Sequence, residues 1–307
     1  MRKRMLATVF AVVFLLSALA LAAGGATYVD TEATGSLTLT YGYEGQSLAD
    51  TEIRIYRVAE ISQYADFLLT GAFAELPVEV NQVKTQDEWN QVAATLSAYV
   101  TAMELPADFR AVTDADGTVR FDALPLGLYL VEGLRVDVEG GYRQFDSFVI
   151  SVPDLDDTDA WVYDVQAKPK SVFREVTPDP IAYTVNKLWK DEGYSHLRPQ
   201  SISLELYRDG TLVETVILSA ENDWSYSWTA PDDGAVWQVV EADVPEGYTV
   251  TLEQKDNFFF VTNGYNYPED PPKTGDITDL RLPLILMGAA GAGLVVLGIL
   301  TIGRKKT

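Results

Sequence analysis

Short stretches in which every second residue is apolar recur along most of this chain. Leu37, Leu39 and Tyr41 alternate with polar neighbours, as do Ile53 and Ile55. That is the two-residue period of a strand with one buried face. Val119 and Phe121 follow the turn pair Asp116-Gly117, and Gly127–Val131, Phe148–Val152 and Val162–Val165 continue the series. A second series comprises Tyr183–Trp189, Ser201–Tyr207, Thr211–Leu218, Ser225–Trp228, Val236–Glu241, Tyr248–Glu253 and Phe258–Thr262. Asp209-Gly210 between two of these runs is a strong hairpin signal. Short strands separated by turn residues predict an all-β chain of two tandem β-sandwich domains, 35–170 and 181–263. Residues 171–180, with two prolines and mixed charges, are expected to link them.

One segment changes period. Thr85 and Glu88 form a T-x-x-E capping box, after which Trp89, Val92, Ala93, Leu96, Tyr99, Val100 and Met103 recur at helical spacing until Pro106. This predicts a helical insertion in the first domain, its apolar stripe packed into a core.

The two ends lack the strand pattern. Residues 1–26 begin with Arg2, Lys3 and Arg4, continue as an apolar run and close on small residues, the form of a secretory signal peptide. Leu282–Ile302 is apolar without a charge, long enough for a transmembrane helix, and the tail 303–307 carries Arg304, Lys305 and Lys306. Basic residues stay on the cytoplasmic side, so the body is expected outside the cell, its precursor held in the membrane. Residues 264–276 form a spacer and a motif before that helix.

Charge and composition narrow the function classes. The formal net charge is −22, and the ends hold more basic than acidic residues, so the body is more acidic still. Nucleic acid would be repelled. Cysteine is absent, which excludes disulfides in an exported protein. The single histidine, His196, sits in a polar loop and leaves no nucleophile–base pair for an enzyme. Asp154, Asp156, Asp157 and Asp159 form an acidic loop without the glycine and distal glutamate of a calcium loop, and it is read as a solvated turn. No metal or cofactor is expected.

Three stretches resemble known motifs. Pro271, Pro272, Lys273, Thr274 and Gly275 resemble the L-P-x-T-G sorting motif of Gram-positive surface proteins, with proline at the first position. The resemblance implies cleavage by a sortase after Thr274 and transfer to peptidoglycan or lipid II. Residues 181–263 resemble the Cna B-type domain, an Ig-like sandwich, through Tyr183–Asp191, Arg198-Pro199, Asp209-Gly210, Trp224-Ser225-Tyr226, Glu241 with Pro245-x-Gly247-Tyr248, and Val261-Thr262-Asn263. In that family a strand lysine and a C-terminal asparagine condense into an isopeptide bond beside a buried glutamate. By that resemblance the cross-link joins Lys187 to Asn263, with Glu241 as the catalytic group. Trp189 and Phe258-Phe259-Phe260 are expected to keep the site dry.

The first domain resembles the N-terminal domain of backbone pilins. Its end, Trp161 to Lys170, is similar to the pilin motif W-x3-V-x-V-Y-P-K at Trp161, Val165, Pro169 and Lys170, but departs from it at Ala167 and Lys168. The resemblance implies that Lys170, or Lys168 beside it, accepts Thr274 of a neighbouring subunit. Tyr41 stands where a cross-linking relative places a lysine, so no bond is expected in this domain. Together these resemblances imply a non-enzymatic, cell-wall-anchored surface protein: a sortase-assembled pilin subunit, backbone or basal. A monomeric wall-anchored adhesin or stalk is the alternative. The partners implied are sortase, the wall precursor, other pilin subunits and a host extracellular ligand.

Overall fold

A computed structural model describes residues 28–156, 158–176 and 179–265. The expected signal peptide, the sorting motif, the transmembrane helix and the basic tail lie outside the described residues. No helix among the described residues is long and apolar enough to cross a membrane.

Among the described residues, the N-terminal half builds three sheets of three or more strands, beside two short two-stranded ones. Strand β1 (Thr34–Thr40) runs antiparallel to β4 (Thr118–Pro125) and parallel to β9 (Asp164–Ala167). Strand β2 (Glu52–Ile61) pairs with β3 (Phe109–Val112) and with β5 (Gly127–Val131), which pairs with β8 (Phe148–Val152). Leu37, Leu39, Ile53, Ile55, Phe121, Tyr129 and Val165 point into one core between them. Tyr41 is 1% exposed in the same core, edge-on to Phe145 at 5.3 Å between ring centroids.

The third sheet departs from the sequence expectation. Leu134–Val138 (β6) and Gly141–Phe145 (β7) form a hairpin, and Ser171–Glu175 (β10) adds to it with Phe145 opposite Ser171. Half of the segment read as a linker is therefore a strand. Its prolines at 178 and 180 lie beyond that strand, so they do not interrupt the ladder. The acidic loop closes on itself, with Asp156 accepting hydrogen bonds from the Thr158 amide and hydroxyl and from the Ala160 amide. Asp157 lies outside the described residues.

Helix α1 (Gln86–Ala102) starts as its capping box dictates. The Thr85 hydroxyl accepts from the Glu88 amide at 3.2 Å, and the Glu88 carboxylate accepts from the Lys84 and Thr85 amides at 2.8 and 2.9 Å. Those bonds to the carboxylate hold the Glu88 pKa below its usual range. The helix stops before Pro106, because Glu104 takes a left-handed conformation at φ 50°. Thr85→Ala is expected to lower stability by about 1 kcal/mol, read as a shift in denaturant midpoint. A midpoint equal to wild type would show that the cap contributes nothing here.

The C-terminal half is a sandwich of two sheets. In one, β11 (Ile181–Lys190) lies between β14 (Ser225–Ala230) and β17 (Phe258–Tyr265), and β16 (Tyr248–Lys255) forms the far edge. In the other, β12 (Ser201–Arg208) is flanked by β13 (Thr211–Ser219) and β15 (Trp237–Glu241). Val185, Leu204, Leu206, Val239, Val250, Phe259 and Val261 fill the space between them, and the apolar stripe of α1 joins the same core. The described residues from both halves fall in one compact unit.

Candidate functional site

Register decides which side chains meet. β11 and β17 are parallel neighbours, Lys187 pairing with Val261 and Trp189 with Asn263. Side chains two apart on a strand share a face. Lys187 and Asn263 therefore lie diagonally across the pair, both facing inward with Val185, Phe259 and Val261. The opposing sheet supplies Glu241, the last residue of β15.

These three polar residues sit in the core at 4%, 0% and 2% exposure for Lys187, Asn263 and Glu241. The Asn263 amide nitrogen donates to Glu241 Oε1 at 2.9 Å. Lys187 Nζ lies 3.5 Å from Glu241 Oε2, within ion-pair reach but making no hydrogen bond to it, and donates instead to the Leu188 carbonyl at 3.3 Å. Glu241 Oε2 and Asn263 Oδ1 are buried without a hydrogen-bond partner. A core that holds a cation, a carboxyl and an amide, each incompletely satisfied, is costly unless it serves some chemistry.

Aromatic rings wall the lysine. Nζ is 4.3 Å from the centroid of the Trp189 ring, which packs edge-on against Trp224 at 5.3 Å and Tyr248 at 5.4 Å. Of the three phenylalanines expected to dry the site, only Phe259 is fully buried; Phe258 is exposed and Phe260 half-buried, because alternation turns successive residues to opposite faces.

Burial sets the electrostatics. Loss of solvation pushes the Lys187 pKa down to about 8, with the Glu241 carboxylate opposing that shift. The same loss pushes the Glu241 pKa up, opposed by the Lys187 charge. Both directions favour uncharged forms, so moving the proton from ammonium to carboxylate costs far less here than in water. The product of that transfer is a free amine and a carboxylic acid beside a carboxamide. An amine is a nucleophile, and a carboxylic acid can polarise an amide carbonyl and relay protons.

A neighbouring cluster was not legible as functional from sequence. Asp191, 2% exposed, accepts from Arg198 Nε at 2.8 Å and Nη2 at 2.5 Å, and from the Tyr248 hydroxyl at 3.0 Å. The Arg198 hydrogen bonds hold the Asp191 pKa below its usual range. The Arg198 guanidinium lies 5.4 Å from the Trp189 ring centroid, so the cluster braces the ring that walls Lys187. Asp191 and Arg198 stood within the motif, but their spacing alone did not show the bidentate pair.

The other candidate residues lie elsewhere. Val165 is buried in β9, while Trp161 and Pro169 are half-buried. Lys168 and Lys170 are both exposed in the connection from β9 to β10. Pro271, Pro272, Lys273, Thr274 and Gly275 lie outside the described residues. Among the described residues, no group of His, Cys, Asp or Glu side chains is arranged to hold a metal ion.

The chain is 33% identical over 125 residues to the collagen adhesin of Staphylococcus aureus, covering 36% of this chain and 11% of that protein. It therefore spans about a tenth of that relative's length. Similar solved structures include a single B repeat unit of the collagen-binding surface protein of Staphylococcus aureus. That match has 17% identity, covers 75% of this chain and 96% of that one, and has a TM-score of 0.27. Another is the full-length major pilin SpaD from Corynebacterium diphtheriae, with 19% identity, 78% and 66% coverage, and a TM-score of 0.31. Residues 183–264, the segment that brings Lys187, Glu241 and Asn263 together, match the family model described as Cna protein B-type domain.

Proposed function

We propose that this chain is a structural surface protein anchored to the cell wall of a Gram-positive bacterium, a sortase-assembled pilin subunit whose C-terminal sandwich is locked by a Lys187–Asn263 isopeptide bond. The observation that carries this reading is the dry, incompletely satisfied cluster of Lys187, Glu241 and Asn263 inside a segment that matches the Cna B-type family. In the reaction, Lys187 Nζ, freed of its proton by Glu241, bonds to Asn263 Cγ. Glu241 passes that proton to Nδ2 and the bond from Cγ to Nδ2 breaks. Nζ gives its second proton to Glu241 as ammonia departs, so Nζ ends as a neutral amide nitrogen and Glu241 as a carboxylic acid. The step occurs once per molecule and is maturation rather than turnover.

The topology gives the bond a mechanical use. β11 opens the sandwich and β17 closes it, side by side and parallel. Tension that enters before β11 and leaves after β17 shears this pair. A covalent tie between residues 187 and 263 carries that load and spares every strand between them. Resistance to force and proteases is kinetic stability, the kind needed outside a cell.

Assembly would use two further sites: the sorting motif at Pro271–Gly275, cut by sortase after Thr274, and Lys170 or Lys168 as acceptor. An exposed lysine between two paired strands is accessible to an enzyme while its backbone is held. The division into domains 35–170 and 181–263 belongs to this reading, as do the signal peptide, the membrane-held precursor and transfer to lipid II. A monomeric wall-anchored adhesin is the second reading, favoured by the 33% identity to a collagen adhesin, which makes a host matrix protein its expected ligand.

Expression of the full chain in a sortase-bearing Gram-positive host separates the two. The pilin reading expects a ladder of high-mass wall bands that survives boiling in detergent and disappears in Lys170→Ala, or in Lys168→Ala if that residue is the acceptor. A single wall-linked band in the wild type favours the adhesin. Recovery of the chain only from the medium, with its C-terminus uncut, sinks both.

A further inference from the structure

Glu241 ends an edge strand, a position that would ordinarily admit water. β15 and β16 are the edges of their two sheets, and helix α1 from the N-terminal half packs against both. Three contacts fix it there. The Tyr99 hydroxyl donates to the Glu241 main-chain carbonyl at 3.1 Å. The Thr95 hydroxyl accepts the Leu252 amide at 2.7 Å while donating to the Gln91 carbonyl at 2.7 Å. The Val250 amide donates to the Pro77 carbonyl at 2.8 Å, in the segment leading to the helix. Alternate amides of edge strand β16 are thus capped by the N-terminal half, and the edge is closed to other chains.

The fit is tight. Thr95, Ala98 and Tyr99 are 3%, 2% and 7% exposed. Where they meet Glu241 and its neighbours a cavity of about 10 Å³ remains, lined on the helix side by those three residues. That is at the lower limit for a single water. The helix therefore keeps solvent from Glu241 on this flank, as the Trp189 ring and the Asp191–Arg198 pair flank Lys187.

We propose that helix α1 is a wall of the cross-linking chamber and Tyr99 a positioning residue for Glu241, so that the Lys187–Asn263 bond forms only after the helix has docked. The inference rests on the cross-link reading above. The Tyr99 hydroxyl bonds to the Glu241 main chain and not to its carboxyl. The residue acts through the Glu241 backbone, fixing where the carboxyl sits, and through its ring, which excludes water. The bond then seals a sandwich already joined to its N-terminal partner and leaves unassembled chains unsealed and open to proteolysis.

The test follows ammonia loss by intact mass in a newly synthesised chain spanning residues 28–265, whose described residues form one compact unit, at a series of pH values. The charged groups around the pair are Lys187, Glu241, Asp191 and Arg198, and none is altered. Tyr99→Ala is expected to slow the loss roughly tenfold or more, since small misplacements of a reacting group carry penalties of that size. Water admitted by the variant returns Glu241 and Lys187 toward their ordinary pKa values, so the pH profile of the rate broadens as its maximum falls. Tyr99→Phe keeps the ring and loses only the hydroxyl, and is expected to slow the loss by about threefold with an unchanged profile. A folded Tyr99→Ala chain reacting at the wild-type rate and profile overturns the proposal. If that variant does not fold, a wild-type rate in Tyr99→Phe overturns it. No ammonia loss in the wild type would instead remove the cross-link reading itself, leaving the helix contacts as packing.

Discussion

Wild-type residues 28–265 are expected to weigh one ammonia less than their sequence dictates, and Glu241→Ala to restore the missing mass. A tryptic digest of the wild type should contain one branched peptide joining Lys187 to Asn263, absent from the variant. Stability should fall with the bond, by two separable amounts. A tie across about 76 residues removes loop entropy from the unfolded chain, worth about 4 kcal/mol if it behaves like a disulfide of that size. Lys187→Met removes the bond and the buried cation together, so its loss should lie near that figure. Glu241→Ala removes the bond and also leaves a buried ammonium without its carboxylate, a defect that costs a further 3–5 kcal/mol or so. Glu241→Ala should therefore unfold at distinctly lower denaturant than Lys187→Met, although the methionine variant has lost the nucleophile itself. An unmodified wild-type mass would end the cross-link assignment. Equal midpoints for the two variants would mean that Lys187 sheds its charge when left alone.

Local rules made much of this structure legible. The capping box at Thr85 and Glu88 and the strands from Tyr183 to Thr262 are dictated by neighbouring residues, and the observed elements lie within a few positions of the expected ones. The burial of Lys187, Glu241 and Asn263 in one cluster was expected only through resemblance to a family, because alternation alone cannot say that a lysine faces inward. The hairpin Leu134–Phe145 escaped notice. The alternation of Leu134, Val136 and Val138 with Arg135 and Asp137 was a strand signal, but its hairpin partner Gly141–Phe145 shows none, and the side chains of both are mostly half-buried rather than divided into wet and dry faces. Ser171–Glu175 escaped for a different reason. Four of its five residues are exposed, and its pairing is decided by β7, distant in sequence, rather than by its own side chains. The same limit hid the role of Tyr99. Its helical spacing marked it as core, which it is, but the core it enters is shared about equally with the C-terminal sandwich, and only the fold shows its hydroxyl on Glu241.

Asn263→Ala isolates the electrostatics of the unreacted pair, because it keeps Lys187 and Glu241 while removing the carboxamide that the amine would attack. Lys187 titrates at about 8 in the folded protein against 10.5 for the free side chain. Between those values the unfolded chain binds the proton and the folded one does not, so stability rises with pH across that window, by up to about 3 kcal/mol. Glu241 has the opposite sense. Its folded pKa lies above the ordinary 4.5, so the folded state holds a proton that the unfolded state has lost, and stability falls as pH rises through the folded pKa. The unreacted variant should therefore be weakest between the two folded-state titrations and recover on the alkaline side. With the proposed bond formed, the wild-type Lys187 Nζ is an amide nitrogen that cannot titrate, so the alkaline recovery should be missing while the Glu241 limb remains. Buried tyrosines such as Tyr41 and Tyr129 also titrate late, but equally in both proteins, and they cancel in the difference. Denaturant midpoints for wild type and Asn263→Ala, measured from pH 5 to 10.5, give that difference directly. It should shrink from about pH 8 upward as the variant regains stability; a constant offset across that range would show that Lys187 has the same protonation behaviour in both, and that no bond distinguishes them.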